Sequence, residues 1–211
     1  MQNFKEYLKE NEIQDITLYD KDLVNGKLTK QYPDIEGYFD CSDTNLISLK
    51  FVPQSVGGSF YCYKTDITSL EFAPQYVGGN FSCDTTDITS LKFAPKHVGG
   101  NFNCGSTKIT SLEFVPQSVG GSFGCSDTKI TSLKGIGKDY LKEVRGEIYL
   151  NDCHELKSNM LGLMLVKGLL GIEFNNNEIE EIFNRHLQGE RDILDCQEEL
   201  ITNGFKEYAK L

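Results

Sequence analysis

Three consecutive stretches decide the fold: SFYCYKTDITSLEFAPQYVGG (Ser59–Gly79), NFSCDTTDITSLKFAPKHVGG (Asn80–Gly100) and NFNCGSTKITSLEFVPQSVGG (Asn101–Gly121). They succeed one another with a period of 21 residues and no insertion. A degenerate copy precedes them (GYFDCSDTNLISLKFVPQSVGG, Gly37–Gly58), and a further copy begins at Ser122 and loses the pattern after Leu133. A fixed period of this length marks a solenoid, in which each unit is one turn of a coil that cannot bury its apolar face alone.

Within a unit, Phe60 and Cys62 are two apart, the spacing of a strand with one buried face. Leu70 and Phe72 repeat that spacing, which predicts a second inward-facing pair on the opposite side of the coil. Thr65 and Asp66 turn the chain between them, Pro74 bends it again, and the Gly78–Gly79 pair opens backbone geometry closed to other residues. Stacking aligns like with like: Phe39, Phe60, Phe81, Phe102 and Phe123 form one ladder, and Leu46, Ile67, Ile88, Ile109 and Ile130 another. Each large apolar side chain contributes roughly 1.5–3 kcal/mol on burial. Ordering the backbone costs about 1–2 kcal/mol per residue, so one unit folds only against its neighbours.

Aligned on the pattern L-x-x-L-x-L-x-x-N-x-L, the unit places Phe60 and Cys62 on the strand leucines, Thr65 on the asparagine and Ile67 on the next leucine. With the T-S-L-x-F-x-P that follows, it resembles short, proline-containing bacterial leucine-rich repeats whose convex side is extended. It is also similar to the FxC-type repeat arrays of bacterial and bacteriophage proteins, whose ends often read like Asp195–Leu211 here. The resemblance implies an α/β solenoid: a leucine-rich-repeat-like right-handed coil of parallel β-strands with a short N-terminal helical cap and a helical C-terminal cap. It further implies that binding uses the strand face, and that the chain is a phage-encoded inhibitor sequestering a host defence protein.

An open stack exposes apolar ends and unpaired strand edges, which repeat proteins cover with atypical caps. The chain therefore divides into an N-terminal cap (1–36), a solenoid of about five 21-residue repeats plus a degenerate turn (37–156), and a helical cap domain (157–211). Phe4, Tyr7 and Leu8 predict a helix over Asn3–Glu12, and Gly146–Cys153 reads as one more coil with Ile148 and Leu150 on the strand positions. Leu161–Phe174 reads as a mixture of helix and strand. Beyond it, Ile179, Ile182, Phe183 and Leu187 share one helical face, and a second helix over about Glu190–Thr202 is expected to turn Ile193, Leu194, Leu200 and Ile201 inward.

The net charge of −10 repels phosphate backbones and argues against direct nucleic-acid binding. A charged start (MQNFKEYLKENE) and the lack of a long apolar run predict a soluble, cytoplasmic protein without a membrane segment. Seven cysteines, an odd number with five placed by the repeat, predict reduced thiols filling a narrow core position. Zinc needs ligands converging on one point, whereas Cys41, Cys62, Cys83, Cys104 and Cys125 line up along the stack, so no metal or cofactor is expected. Cys196, near His186, is the one conceivable nucleophile, but no catalytic signature surrounds it, and the chain reads as non-enzymatic.

Two surfaces remain as candidates for a protein partner. The outward strand positions are where the copies differ most: Tyr38 and Asp40; Ser59, Tyr61 and Tyr63; Asn80, Ser82 and Asp84; Asn101 and Asn103. Tyr61 and Tyr63 are the natural anchors, since aromatic residues dominate interface hot spots. The alternative is the acidic C-terminal helices, with Glu180, Glu181, Glu198 and Glu199 mimicking a nucleic-acid backbone toward a nucleic-acid-binding protein.

Overall fold

The computed structural model describes residues 15–156 and 158–211. Two parallel sheets run along the coil. The long one sets side by side β1 (Ile16–Thr17), β2 (Phe39–Asp40), β4 (Phe60–Tyr61), β6 (Phe81–Ser82), β8 (Phe102–Asn103), β10 (Phe123–Gly124), β12 (Glu147–Tyr149) and β13 (Gly171–Glu173). The other joins β3 (Ser55–Val56), β5 (Tyr76–Val77), β7 (His97–Val98), β9 (Ser118–Val119) and β11 (Glu143–Val144). The 21-residue period thus becomes a β-solenoid with helices near its C-terminus, and the side opposite the long sheet is extended and not helical. The ladder continues past both ends of the legible repeat: Ile16 pairs with Phe39, Phe123 with Ile148, and Ile148 with Ile172. The helix expected over Asn3–Glu12 lies outside the described residues.

Register places each repeat residue over its counterpart. Phe39, Phe60, Phe81, Phe102 and Phe123 are fully buried, and neighbouring rings stack with centroids 5.2–5.8 Å apart. Offset stacking of this kind adds about 0.5–1.5 kcal/mol per pair beyond the area buried. Ile67, Ile88, Ile109 and Ile130, with Leu70, Leu91, Leu112 and Leu133, complete the core.

Each coil turns at three corners. At the first, a residue such as Lys64 adopts a left-handed conformation (φ 49°), and the buried Thr65 hydroxyl donates to the Cys62 carbonyl at 2.8 Å. Thr44, Thr86, Thr107 and Thr128 repeat that bond, so the threonine at the leucine-rich-repeat asparagine position ties its own coil. At the second corner the expected inward pair fails. Phe72 takes a left-handed φ of 70°, which breaks the strand alternation, so Ala73 faces the core and Phe72 faces solvent. The third corner is the glycine pair, where successive coils pass almost in contact: a Cβ on Gly78, Gly99 or Gly120 would lie 2.0–2.1 Å from the carbonyl oxygen of the glycine one coil back.

After β12 the chain makes a 3-10 turn (Met160–Leu165), then β13, then α1 (Asn177–Gln188) and α2 (Ile193–Thr202). This is the mixture expected of Leu161–Phe174. The Asn176 side chain caps α1 by accepting from the Ile179 N–H, and Asp192 caps α2 by accepting from Leu194 and Asp195. Ile179, Ile182, Phe183 and Leu187 are buried where α1 packs on β13. In α2 the buried residues are Cys196 and Leu200, one turn apart; Leu194 and Ile201 fall off that face and are exposed, contrary to the expected inward set.

Arg191 fastens the loop between the helices to the last coil. Its guanidinium donates to the carbonyls of Leu187, Val166 and Leu169. Arg191→Met leaves those acceptors without a charged donor and is expected to lower stability by about 2 kcal/mol in urea unfolding. Among the described residues no helix is long and apolar enough to cross a membrane.

Candidate functional site

The outward side of the long sheet collects the sequence-predicted strand residues on one surface. Tyr61, on the third of its eight strands, and Tyr63 stand with rings 6.2 Å apart, edge to face. On their N-terminal side lies an open hollow of about 580 Å³ bordered by Thr17, Asp40, Ser42 and Tyr63. On the C-terminal side, Gly105 and Gly124 occupy outward positions and supply no side chain. The resulting hollow, of about 480 Å³, is bordered by Asp84, Asn101, Asn103, Ser126 and Tyr149.

The outward strand positions carry charge of one sign, while Lys21 borders the first hollow and the Lys64 ammonium lies 5.9 Å over the Tyr63 ring. Asp40, Asp84, Glu147 and Glu173 stand at outward strand positions, and no lysine or arginine does. Tyr149 Oη donates to Glu147 at 3.0 Å, which places the far wall of the second hollow in the same acidic setting.

Not every predicted residue is equally free to meet a partner. Ser59, Asn80 and Asn101 turn their side-chain oxygens along the stack, each accepting from the backbone N–H of its counterpart in the next coil at 2.7–3.0 Å. Asp40 accepts from the Ser42 N–H and hydroxyl, Asp84 accepts from the buried Ser82, and Asn103 accepts from the Gly105 N–H at 3.1 Å. Tyr38 donates its backbone N–H to Asp15 and leaves its ring exposed. Tyr61, Tyr63 and the Asn103 amide stand on a surface that the other residues pin in shape, with the Tyr61 hydroxyl accepting from the Asn80 amide at 3.4 Å and the Lys64 ammonium 5.9 Å over the Tyr63 ring. Glu147, Tyr149 and Glu173 belong to the same face and were missed because the period breaks there; once Ile148 is placed inward, strand alternation turns Glu147 and Tyr149 outward.

The thiols run along the inside of this sheet. Cys41, Cys62, Cys83, Cys104 and Cys125 are free and buried, and each donates to a carbonyl in the next coil at 3.2–3.6 Å. Burial pushes Cys41, Cys62, Cys83 and Cys104 well above the ordinary thiol range. Cys153 is the outlier: hydrogen bonding with Cys125 outweighs its burial and, with the Thr128 bonds, brings it down to about 7. Among the described residues no group of three or more His, Cys, Asp or Glu is arranged to hold a metal ion.

In the helical cap, burial and then the nearby Glu199 carboxylate push the Cys196 thiol up to about 12, so at neutral pH it is protonated and a poor nucleophile. Glu199 accepts from Arg185 and from His186 Nε2, the latter at 2.8 Å. Burial works to raise its carboxyl, and these two partners outweigh burial and hold it below the ordinary value. Glu180 accepts from the Phe174 N–H at 2.8 Å. Of the four acidic candidates, Glu181 and Glu198 alone point fully into solvent. No family model, curated protein or solved structure matches the chain.

Proposed function

We propose that the protein is a non-enzymatic binding module that holds a protein partner against the outward face of its long sheet, and that the partner presents basic side chains to that face. The observation that carries the reading is the Tyr61–Tyr63 pair, set between two hollows on a sheet face whose outward strand positions hold carboxylates and no lysine or arginine, with Lys21 and Lys64 confined to its border at the first corner. Rigid aromatic anchors beside recesses are the usual core of a hot spot. Complementary charge then speeds and orients docking. The resemblance of the repeat to bacteriophage arrays supports a cytoplasmic, phage-encoded inhibitor that sequesters a host defence protein.

Loss of both anchors tests this. Tyr61→Ala with Tyr63→Ala is expected to weaken partner binding about 30-fold, the equivalent of roughly 2 kcal/mol, while circular dichroism and the unfolding midpoint stay close to wild type. Unchanged affinity in that variant places the partner elsewhere. The acidic-mimic reading has less to draw on, because Glu180 and Glu199 are already engaged within the cap.

A further inference from the structure

The second corner of the coil carries a feature that the strand face does not use and that the core uses only at Phe51, which is partly buried. Phe51, Phe72, Phe93 and Phe114 occupy the same position in four successive coils, all with left-handed backbones (φ 80°, 70°, 74° and 68°). The next coil has Gly135 at that position with φ 87°, the residue this geometry favours. Bulky side chains are rare in this region of backbone space and cost energy there. The core does not require them, since the adjacent Val52, Ala73, Ala94 and Val115 fill it. Phe72, Phe93 and Phe114 remain 44–48% exposed, so a stripe of aromatic rings runs along one edge of the solenoid.

The residues that precede the rings alternate in charge: Lys50, Glu71, Lys92 and Glu113, all exposed. Lys50 and Lys92 place their ammonium groups over the adjoining rings, 4.9 and 5.0 Å from the centroids. Such a pattern is complementary to itself when reversed. About a twofold axis midway between the Phe72 and Phe93 rungs, Lys50 of one copy meets Glu113 of the other and Glu71 meets Lys92, with four rings on each side. Sliding the copies by one coil, so that the axis passes through the Phe72 rung, sets Lys50 against Lys92 and Glu71 against Glu71. The charges thus select an antiparallel direction and exclude shifts by one coil. A shift by two coils sets Lys92 against Glu113 and Glu71 against Lys134, but brings Gly135 into the stripe in place of a ring, so the full set of rings favours the first register.

We infer that the phenylalanine edge is a self-association surface, on which a second copy of this chain packs antiparallel as an isologous dimer. With rungs ~4.8 Å apart the stripe of four rings is about 14 Å long, a small interface that makes the dimer weak and concentration-dependent. It lies at a different corner from the Tyr61–Tyr63 face and leaves that face open.

Sedimentation velocity on the full chain, over a concentration series reaching several hundred micromolar, tests the inference. Wild type is expected to show a reversible monomer–dimer equilibrium. Phe72→Gly with Phe93→Gly, which suits the left-handed backbone and so retains the fold, is expected to weaken dimerisation at least about tenfold. A chain with Glu71→Lys and Glu113→Lys, and another with Lys50→Glu and Lys92→Glu, are each expected to be monomeric alone and to pair when mixed. A wild-type chain that stays monomeric throughout, a dimer indifferent to the glycine variants, or reversed-charge chains that fail to pair would each overturn it.

Discussion

Gly99→Ala, the addition of one methyl group, is expected to cost at least about 3 kcal/mol and to leave the solenoid poorly folded near physiological temperature. The added carbon would sit 2.0 Å from the Gly78 carbonyl oxygen and 2.8 Å from its carbonyl carbon. Both are backbone atoms of a stacked coil, so no rotamer change relieves the contact. The coils must separate locally, which lengthens the bonds from Gly99 N–H to Val77 O (3.0 Å) and from Gly100 N–H to Gly79 O (2.8 Å). Because a solenoid is held by nearest-neighbour interfaces, a fault between central coils uncouples those on either side. Gly189→Ala is the matched control: its nearest contact would be an ordinary 3.5 Å, and a change within about 1 kcal/mol is expected. Urea unfolding followed by circular dichroism compares the two directly; equal destabilisation would show that close coil approach is not what the glycine pairs provide.

Removing a ring from the centre of the aromatic ladder should be as damaging, and removing one from the edge should help. Phe102 is fully buried between Phe81 at 5.2 Å and Phe123 at 5.7 Å. Phe102→Ala deletes both stacked contacts and opens a cavity that the neighbouring strands cannot close, for an expected loss of about 3–5 kcal/mol. Phe93, nine residues earlier in the chain, is exposed and left-handed at φ 74°. Phe93→Gly relieves that backbone and is expected to gain about 1 kcal/mol, less the extra freedom glycine gives the unfolded chain. The comparison is made by thermal unfolding at low concentration, where the chain is monomeric. Destabilisation by Phe93→Gly comparable to that of Phe102→Ala would mean that the second corner is part of the core.

The coil was legible because its evidence is redundant. Five copies of Phe-x-Cys and threonine, with Ile-x-x-Leu in four of them and Leu-x-x-Leu in the first, specify a parallel register that single elements seldom reveal, and that register is observed from Phe39 to Phe123. Phe72 was misread for a physical reason. Alternation assumes an extended backbone, and one left-handed residue between Leu70 and Ala73 reverses every side chain after it. Gly135 at the equivalent place was the available clue. In α2 the inward set was misjudged because Ile193, Leu194, Leu200 and Ile201 and the pair Cys196 and Leu200 lie on overlapping faces of one helix, and packing against α1 and the 3-10 turn buries the second.

On the strand face, alternation identified the outward residues but not their occupation. That Ser59, Asn80 and Asn101 spend their side-chain oxygens on the next coil depends on interatomic distances, which a pattern of polar residues does not encode. Tyr149 and Glu147 were hidden by the longer spacing of the last coils.

The measurement that bears most directly on the binding role is a quantitative capture experiment from the source cell with three baits: the wild-type chain, Tyr61→Ala with Tyr63→Ala, and Glu181→Lys with Glu198→Lys. A partner seated on the long sheet is retained by the wild type and by the helix variant and is lost from the tyrosine variant. Retention by the tyrosine variant, with loss from the helix variant, would contradict the strand-face account and move the binding surface to the acidic cap.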